Sequence, residues 1–233
     1  MPIIDPHCHT TASDGMVTPS ELVAAAVKAG LNAIAVTDHD TMRAVKETQE
    51  RGEAFGLQVI PGQEVTTAWP GQTHVQGWFL EEPVKRGMTL LDTVRAIHAQ
   101  GALAIIPHPF MPVYFGSIQP RMLRRLIEEE HVDGIEMLST VPIGAWRRRA
   151  LESFVARHGN RLGAPIGASD SHFGIHDIAR VVTEFEGDFR TAVVERRTRP
   201  RLGKRHPVPT GIAMRQQWRA LVEVPLKRLR GQL

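Results

Sequence analysis

The sequence predicts an α/β fold built on a sheet that helices cover on both faces. Short apolar runs rich in Ile, Val and Ala alternate along the chain with stretches of helical periodicity. Those runs are almost continuously apolar, the pattern of parallel strands buried on both sides. About seven such runs are present, few enough for an open doubly wound sheet or a closed barrel. No G-x-G-x-x-G marks the first strand–helix turn, which disfavours the dinucleotide-binding version of such a sheet.

The elements follow in order. The first strand begins at "IIDPHCH". Thr18-Pro19-Ser20-Glu21 reads as an N-cap, a proline at the first helical position and a capping-box glutamate. That helix continues through "LVAAAVKA" and stops at Gly30, a residue suited to a left-handed cap. The strand "LNAIAVTDHD" and the helix "TMRAVKETQERGEAFG" come next. "LQVIPGQEV" and "THVQGWFL" are strands three and four, then the helix "TLLDTVRAIHAQG" and strand five, "ALAIIPHPF". The helix "PRMLRRLIEEEH", the strand "VDGIEML", the helix "GAWRRRALESFVARHG" and the strand "APIGASDSH" complete the series. Residues 180–200 add one more strand and a closing helix, so residues 1–200 are read as one barrel-like domain and 201–233 as a tail. In the tail Met214, Trp218, Leu221 or Val222, and Leu229 recur at helical spacing among basic residues. This reads as an amphipathic basic helix interrupted by Pro225, docked on the domain by default. Subunit pairing, an anionic membrane or a nucleic acid are its other possible partners.

The 233 residues suffice for one well-buried core. No apolar run is long enough to span a bilayer. The N-terminus lacks the basic-then-apolar order of a signal peptide, and the one cysteine, Cys8, forms no intrachain disulfide. Both point to the cytoplasm. Charge is uneven: residues 190–233 hold 12 Lys+Arg against 2 Asp+Glu, whereas residues 1–189 hold 16 against 23. An acidic body is what a cluster of carboxylate ligands contributes to.

Polar residues gather where the strands end. His7 and His9 end strand one, two apart and therefore on one face. Asp38, His39 and Asp40 end strand two, Glu64 ends strand three, His74 sits at strand four, and His108 ends strand five. Asp170 and His172 end strand seven, again two apart. Six of the eleven histidines thus fall at strand ends that a barrel would bring to one mouth. A single histidine there is ordinarily a hydrogen-bonded loop residue, but scattered loop histidines would not favour one end of every strand. Imidazoles with carboxylates suit zinc, manganese or iron, and the ligands are too many for one four-coordinate ion. Two or three divalent metals are expected.

The ordered motifs "DPHCHTTASDG", "TDHDT", "PGQE", the isolated His74, "PHP" and "SDSH" resemble those of the PHP (polymerase and histidinol phosphatase) family of metal-dependent phosphoesterases. The resemblance runs from about residue 3 to residue 180. It implies a distorted (β/α)7 TIM-like barrel with the metal site at the C-terminal ends of the strands. It implies one metal on His7, His9, Glu64 and Asp170, and a second, bridged by Glu64, on His74 and His108. A third falls to Asp14, His39 and His172. Pro6 stands where the family more often has a small or apolar residue. The implied reaction is hydrolysis of a phosphoester: a hydroxide shared by two ions attacks phosphorus in line, with Glu64, His9 and Asp170 acting through it, while a third ion neutralises phosphoryl oxygens. Nothing resembles a serine nucleophile elbow. Substrates are expected among nucleotides and other small phosphate esters. A nucleic-acid exonuclease, or a non-catalytic metal-binding module, stands as the alternative.

Asp5, Asp38 and Asp40 flank ligands and could orient imidazoles through hydrogen bonds. Arg43, His176 and Arg180 are candidates for substrate contact. Glu136 ends strand six as a pocket residue. Cys8 alternates to the opposite face from His7 and His9 and reads as packed core. His98 reads as a helix-surface or packing residue, and His131, His158 and His206 have no strand-end placement. The segment "FMPVYFGSIQP" (110–120) could form a lid or base-stacking wall, or pack in the core.

Overall fold

The computed structural model describes residues 1–111, 116–140, 144–204 and 206–230. Its first half is β1 (Ile3–Cys8), α1 (Pro19–Ala29), β2 (Ala33–Val36), α2 (Val45–Glu53), β3 (Gln58–Thr66), β4 (His74–Trp78), α3 (Leu90–Ala99) and β5 (Leu103–Ile106). The second half is α4 (Pro120–Glu129), β6 (Gly134–Leu138), α5 (Ala145–His158), β7 (Ala164–Gly167), β8 (Val181–Phe185), α6 (Phe189–Val194) and β9 (Thr198–Leu202). After these come α7 (Thr210–Trp218), a π-helical stretch (Arg219–Glu223) and α8 (Val224–Leu229).

Local chemistry sets the boundaries. Thr18 and Glu21 form the reciprocal capping box, Pro19 opens α1, and Gly30 closes it at φ 76°. Thr89 Oγ1 accepts the Asp92 amide and starts α3. Helix α2 begins four residues later than its periodicity suggests. There Thr41 Oγ1 accepts the Arg43 amide, a side-chain turn that competes with the helix.

The nine strands of the described residues form one sheet in the order β7-β6-β5-β4-β3-β2-β1-β8-β9. Pairs β1–β2, β2–β3, β5–β6 and β6–β7 are parallel. The expected all-parallel arrangement fails at β4, antiparallel to both neighbours, and at β8 and β9. The connections explain this. A parallel pair needs a crossover of a dozen or more residues, and the link between β3 and β4 has no helix to supply one.

The sheet nearly closes on itself. Beyond β7 the chain runs on beside β1, where His9 N donates to Ser171 O at 2.8 Å and Ser171 N to His7 O at 3.0 Å. Lower down, Thr183 Oγ1 donates to Gly167 O and Thr198 Oγ1 to Pro165 O, each at 2.8 Å, fastening β8 and β9 to β7. A Cβ on Gly167 would stand 2.6 Å from Val182 O, so the closest approach of the two ends requires glycine. Ile4, Ala33, Ala35, Ile60, Trp78, Leu103, Ile105 and Ile166 form the interior, and Phe189 of α6 packs among them. Ile34 and Val36 alternate outward against Leu22 and Ala26 of α1. Cys8 lies in that outer layer, fully buried, as its alternation predicts.

The C-terminal helix departs from expectation in two ways. Pro225 does not interrupt it; the preceding turn widens into a π-helix, which accommodates a residue with no amide proton. The helix does dock, but through its polar face. Arg219 donates to Thr11 O and Ser13 O at 2.8–3.2 Å, and Gln216, 6% exposed, donates to Asp14 Oδ2 at 3.3 Å. Met214, Trp218, Leu221 and Leu229 face solvent instead. The receiving surface is a loop of carbonyl and carboxylate oxygens, which pairs with donors and not with an apolar stripe.

Candidate metal centre

The strand ends deliver their side chains to one mouth by different devices. His7 and His9 leave β1 two residues apart, both fully buried. The loop after them winds around Asp38, which accepts Thr10 N at 2.8 Å, Thr10 Oγ1 at 2.7 Å and Ser13 Oγ at 2.5 Å. That winding brings Asp14 back over β1. His74 is the first residue of β4, not its end; because β4 runs antiparallel, its amino end lies at the mouth. Asp40, His108 and Asp170 adopt positive φ of 56°, 28° and 54°. Such backbone in non-glycine residues is costly and marks positions where the fold imposes direction on a side chain.

Glu64 is the hub. Its Oε1 lies 3.0 Å from His74 Nδ1 and 3.0 Å from His108 Nε2, and its Oε2 lies 3.1 Å from His7 Nε2 and 3.3 Å from both His9 Nε2 and His39 Nδ1. Asp170 Oδ1 stands 3.2 Å from His7 Nε2 and from His9 Nε2. Asp14 Oδ1 stands 3.3 Å from His172 Nε2 and 3.9 Å from His39 Nε2. Three groups therefore converge, each with ligand atoms within 4.8 Å of one another: His7, His9, Glu64 and Asp170; His39, Glu64 and His74; His9, Asp14, His39 and His172. They share His9, His39 and Glu64, so the array is continuous. The donor set fits a divalent cation: nitrogen and carboxylate oxygen, with His9 Nδ1 buried, lacking a hydrogen-bond partner and 3.8 Å from Asp14 Oδ1.

The flanking acids do other work than expected. Among the described residues Asp5 meets no imidazole; its carboxylate accepts Ser169 N at 3.0 Å and Ala179 N at 2.8 Å, tying β1 to the β7–β8 connection. Burial pushes its carboxyl up to about 7. Asp38 holds the Asp14 loop, and Asp40 accepts Thr66 N at 2.7 Å, steadying the strand two residues beyond Glu64. Orientation of His7 falls to Glu136, whose Oε1 lies 2.8 Å from His7 Nδ1 while Oε2 accepts His108 N at 2.7 Å. Asp177, which no sequence motif flags, accepts Ser171 Oγ, His172 N and Phe173 N at 2.6–2.9 Å. Arg43 donates to Ala12 O, Arg180 donates to His206 O, and His176 lines a groove of about 470 Å³ beside α1 and α7. Phe110 packs edge-on against Phe154 at 5.3 Å as core, and Met111, Ser117 and Ile118 of the same segment are buried; residues 112–115 of the expected lid lie outside the described residues.

Gly116 is a further residue that pattern reading passes over. A Cβ there would stand 2.5 Å from His74 Nδ1 and Cε1. Gly116→Ala is expected to displace the His74 ring and lower affinity for the ion beside it by about 10–100-fold. Equilibrium dialysis of variant and parent checks this, and equal affinity would refute it.

Imidazoles and carboxylates within the array set one another's protonation. Burial alone would push His172 down, but the Asp14 and Asp170 carboxylates outweigh it and raise the imidazole to about 10. Burial lowers His39 to about 3 despite Glu64 and Asp14, leaving it neutral. Burial opposes ionisation of Asp14, yet His172, through its charge and its hydrogen bond, holds the carboxyl well below the usual range. A cation held by His172 would need the lone pair that the proton occupies, so its binding near neutrality would expel a proton. Affinity should therefore rise as pH rises toward about 10 and fall on acidification. Calorimetry in two buffers of different ionisation enthalpy should record net proton release; its absence would contradict the charge state of His172.

A family model described as "PHP domain" matches residues 5–170. The uncharacterized protein MJ1587 of Methanocaldococcus jannaschii is 31% identical over 146 residues, 58% of this chain and 80% of that protein. A 5'-3' exoribonuclease of Haemophilus influenzae is 35% identical over 102 residues, 43% of this chain but only 37% of the exoribonuclease. Among solved structures, a two-domain protein of Bacteroides vulgatus containing a predicted PHP-like metal-dependent phosphoesterase superimposes with a TM-score of 0.71. It is 23% identical, with 94% of this chain and 69% of that chain covered.

Proposed function

The chain belongs to the PHP domain family, and on that premise we propose that it is a metal-dependent phosphoester hydrolase acting on nucleotides or other small phosphate esters. The observation that carries the proposal is the gathering of His7, His9, Asp14, His39, His74, His108, Asp170 and His172 into one continuous array around Glu64. His7, His9, Glu64 and Asp170 would hold one divalent ion, Glu64, His74 and His108 a second, and Asp14, His39 and His172 a third. Zinc, manganese or iron suits this nitrogen–oxygen set. Bound there, the ions would acidify a water and neutralise phosphoryl oxygens.

The protein's own part is to hold these groups fixed. Glu136 orients His7, Asp177 clamps the turn that carries His172, and Arg219 with Gln216 braces the loop that presents Asp14. Arg43, His176 and Arg180 are proposed as contacts to the remainder of the substrate. No helix of the described residues is long and apolar enough to cross a membrane. A cytoplasmic location is part of the proposal.

Likeness to an exoribonuclease supports a second reading, hydrolysis at RNA ends. Protein loaded with zinc or manganese should be assayed on a mononucleotide 3',5'-bisphosphate, a nitrophenyl phosphomonoester, a nitrophenyl phosphodiester and 5'-labelled RNA. Turnover of the mononucleotide with little RNA degradation supports the first reading, and the reverse supports the second. No turnover of any ester with either metal would overturn both and leave a non-catalytic metal-binding module.

A further inference from the structure

The loop that carries His108 is bent against the preferences of its own residues. His108 and Phe110 stand at φ of 28° and 63°, so two non-glycine residues hold left-handed backbone within one short bend. Such backbone persists only where its surroundings over-determine it. Here His108 N donates to Glu136 Oε2 at 2.7 Å and Phe110 N to Ile118 O at 2.9 Å. The Ser117 hydroxyl spans the bend, donating to His108 O at 2.8 Å and accepting Met111 N at 2.7 Å. Arg147, in the first turn of α5, donates through Nη2 to Pro109 O at 2.9 Å. Ser117 and Arg147 are both buried, 3% and 2% exposed.

We propose that Ser117 and Arg147 are positioning residues for the second ion, holding the bent loop so that His108 Nε2 meets the Glu64 oxygen that His74 also faces. This rests on the proposed function, in which Glu64, His74 and His108 hold that ion. Both imidazoles stand 3.0 Å from Glu64 Oε1. The stretch around Ser117 serves both of them. Gly116 O accepts His74 N at 2.8 Å, and the next residue is the one that ties His108 O to Met111 N. One short segment therefore spaces two imidazoles that lie far apart in the chain.

Packing does not account for Arg147. A buried guanidinium is unfavourable unless an anion pairs with it, and among the described residues no carboxylate stands within ion-pair distance of this one. Its bonds go to Pro109 O and, through Nη1, to Met111 Sδ at 2.9 Å, one on either side of Phe110. An apolar side chain would fill the same space without burying a charge, and it would lose the hold on the Pro109 carbonyl. Alanine at Ser117 would likewise strand Met111 N and His108 O, both within the bend. The rival account is that these bonds serve the fold alone. It predicts weaker folding with metal affinity unaltered.

The test measures zinc affinity by equilibrium dialysis on the full chain, for the parent, Ser117→Ala, Arg147→Lys and Arg147→Met, each with and without His108→Ala. Ser117→Ala and Arg147→Met are expected to weaken one ion by about 10–100-fold and to leave the others unchanged. Arg147→Lys keeps a donor and should recover part of that loss. In the His108→Ala background the same changes should alter affinity by less than about twofold, because they act through that imidazole. Urea unfolding with a chelator present reads stability separately, and any cost to the fold should persist in both backgrounds. Should Arg147→Met not fold, Ser117→Ala and Arg147→Lys carry the same comparison. Parental zinc affinity in the variants would overturn the proposal, and so would an equal loss with and without His108. A parent chain that takes up no zinc would overturn it together with the reading of the array on which it rests, so the two failures are distinguishable.

Discussion

Glu64→Gln is expected to reduce phosphoester hydrolysis by at least about 10²–10³-fold and to leave the protein short of bound divalent metal. The side chain is buried and meets His74 and His108 through one oxygen and His7, His9 and His39 through the other. Burial opposes its ionisation, yet the surrounding imidazoles, His7 foremost, hold it well below the usual carboxylate range. The amide has nearly the same shape but no charge, and it turns a donor toward imidazoles that must offer lone pairs. Loss should therefore appear in kcat and in metal content together, with the fold retained. A fully active variant, or one with the parent's metal stoichiometry, would remove Glu64 from the centre of the site.

Asp38→Ala should be the most damaging of the changes outside the ligand array. One fully buried carboxylate satisfies Thr10 N, Thr10 Oγ1 and Ser13 Oγ; truncation strands the two Thr10 donors and leaves Ser13 Oγ only Asp14 Oδ1 at 3.4 Å. An unsatisfied buried polar group costs about 1–3 kcal/mol, so a net loss of about 3–5 kcal/mol is expected after partial relaxation. In a chain of this size that corresponds to a fall in Tm of about 10 °C or more. Urea unfolding with a chelator present isolates the effect from metal binding. Asp38→Asn keeps an acceptor and should recover part of it, whereas a loss under about 1 kcal/mol in Asp38→Ala would mean that the loop finds other partners.

Much of the fold and site was legible along the chain because its signals are local. The capping box at Thr18 and Glu21, the glycine stop at Gly30 and the apolar runs of β2 and β5 each depend on neighbouring residues, and each forms as read. His7 and His9 converge because alternation along a strand is a short-range rule, whereas Asp170 and His172 lie beyond β7, where a positive φ at Asp170 turns them toward different groups. The sequence does not reveal the direction of β4, because apolar character is the same whichever way a strand runs. His74 consequently reaches the mouth from the opposite end of its strand. Nor does sequence distance suggest that Glu136 supports His7, or that Gln216 and Arg219 return to the Asp14 loop.

By itself, then, the sequence determined which residue types stand at the strand ends and that nitrogen and carboxylate ligands outnumber what one ion can use. Periodicity and capping carry that information within a few residues. Tertiary structure decided how the candidate ligands are shared, with His9, His39 and Glu64 each facing two groups. It also decided which acids face imidazoles and which, like Asp5 and Asp38, bind backbone and hydroxyl donors. Those outcomes depend on closure of the sheet and on the helix that packs over one side of its mouth. They are settled by contacts between residues far apart in the chain, where no local rule applies.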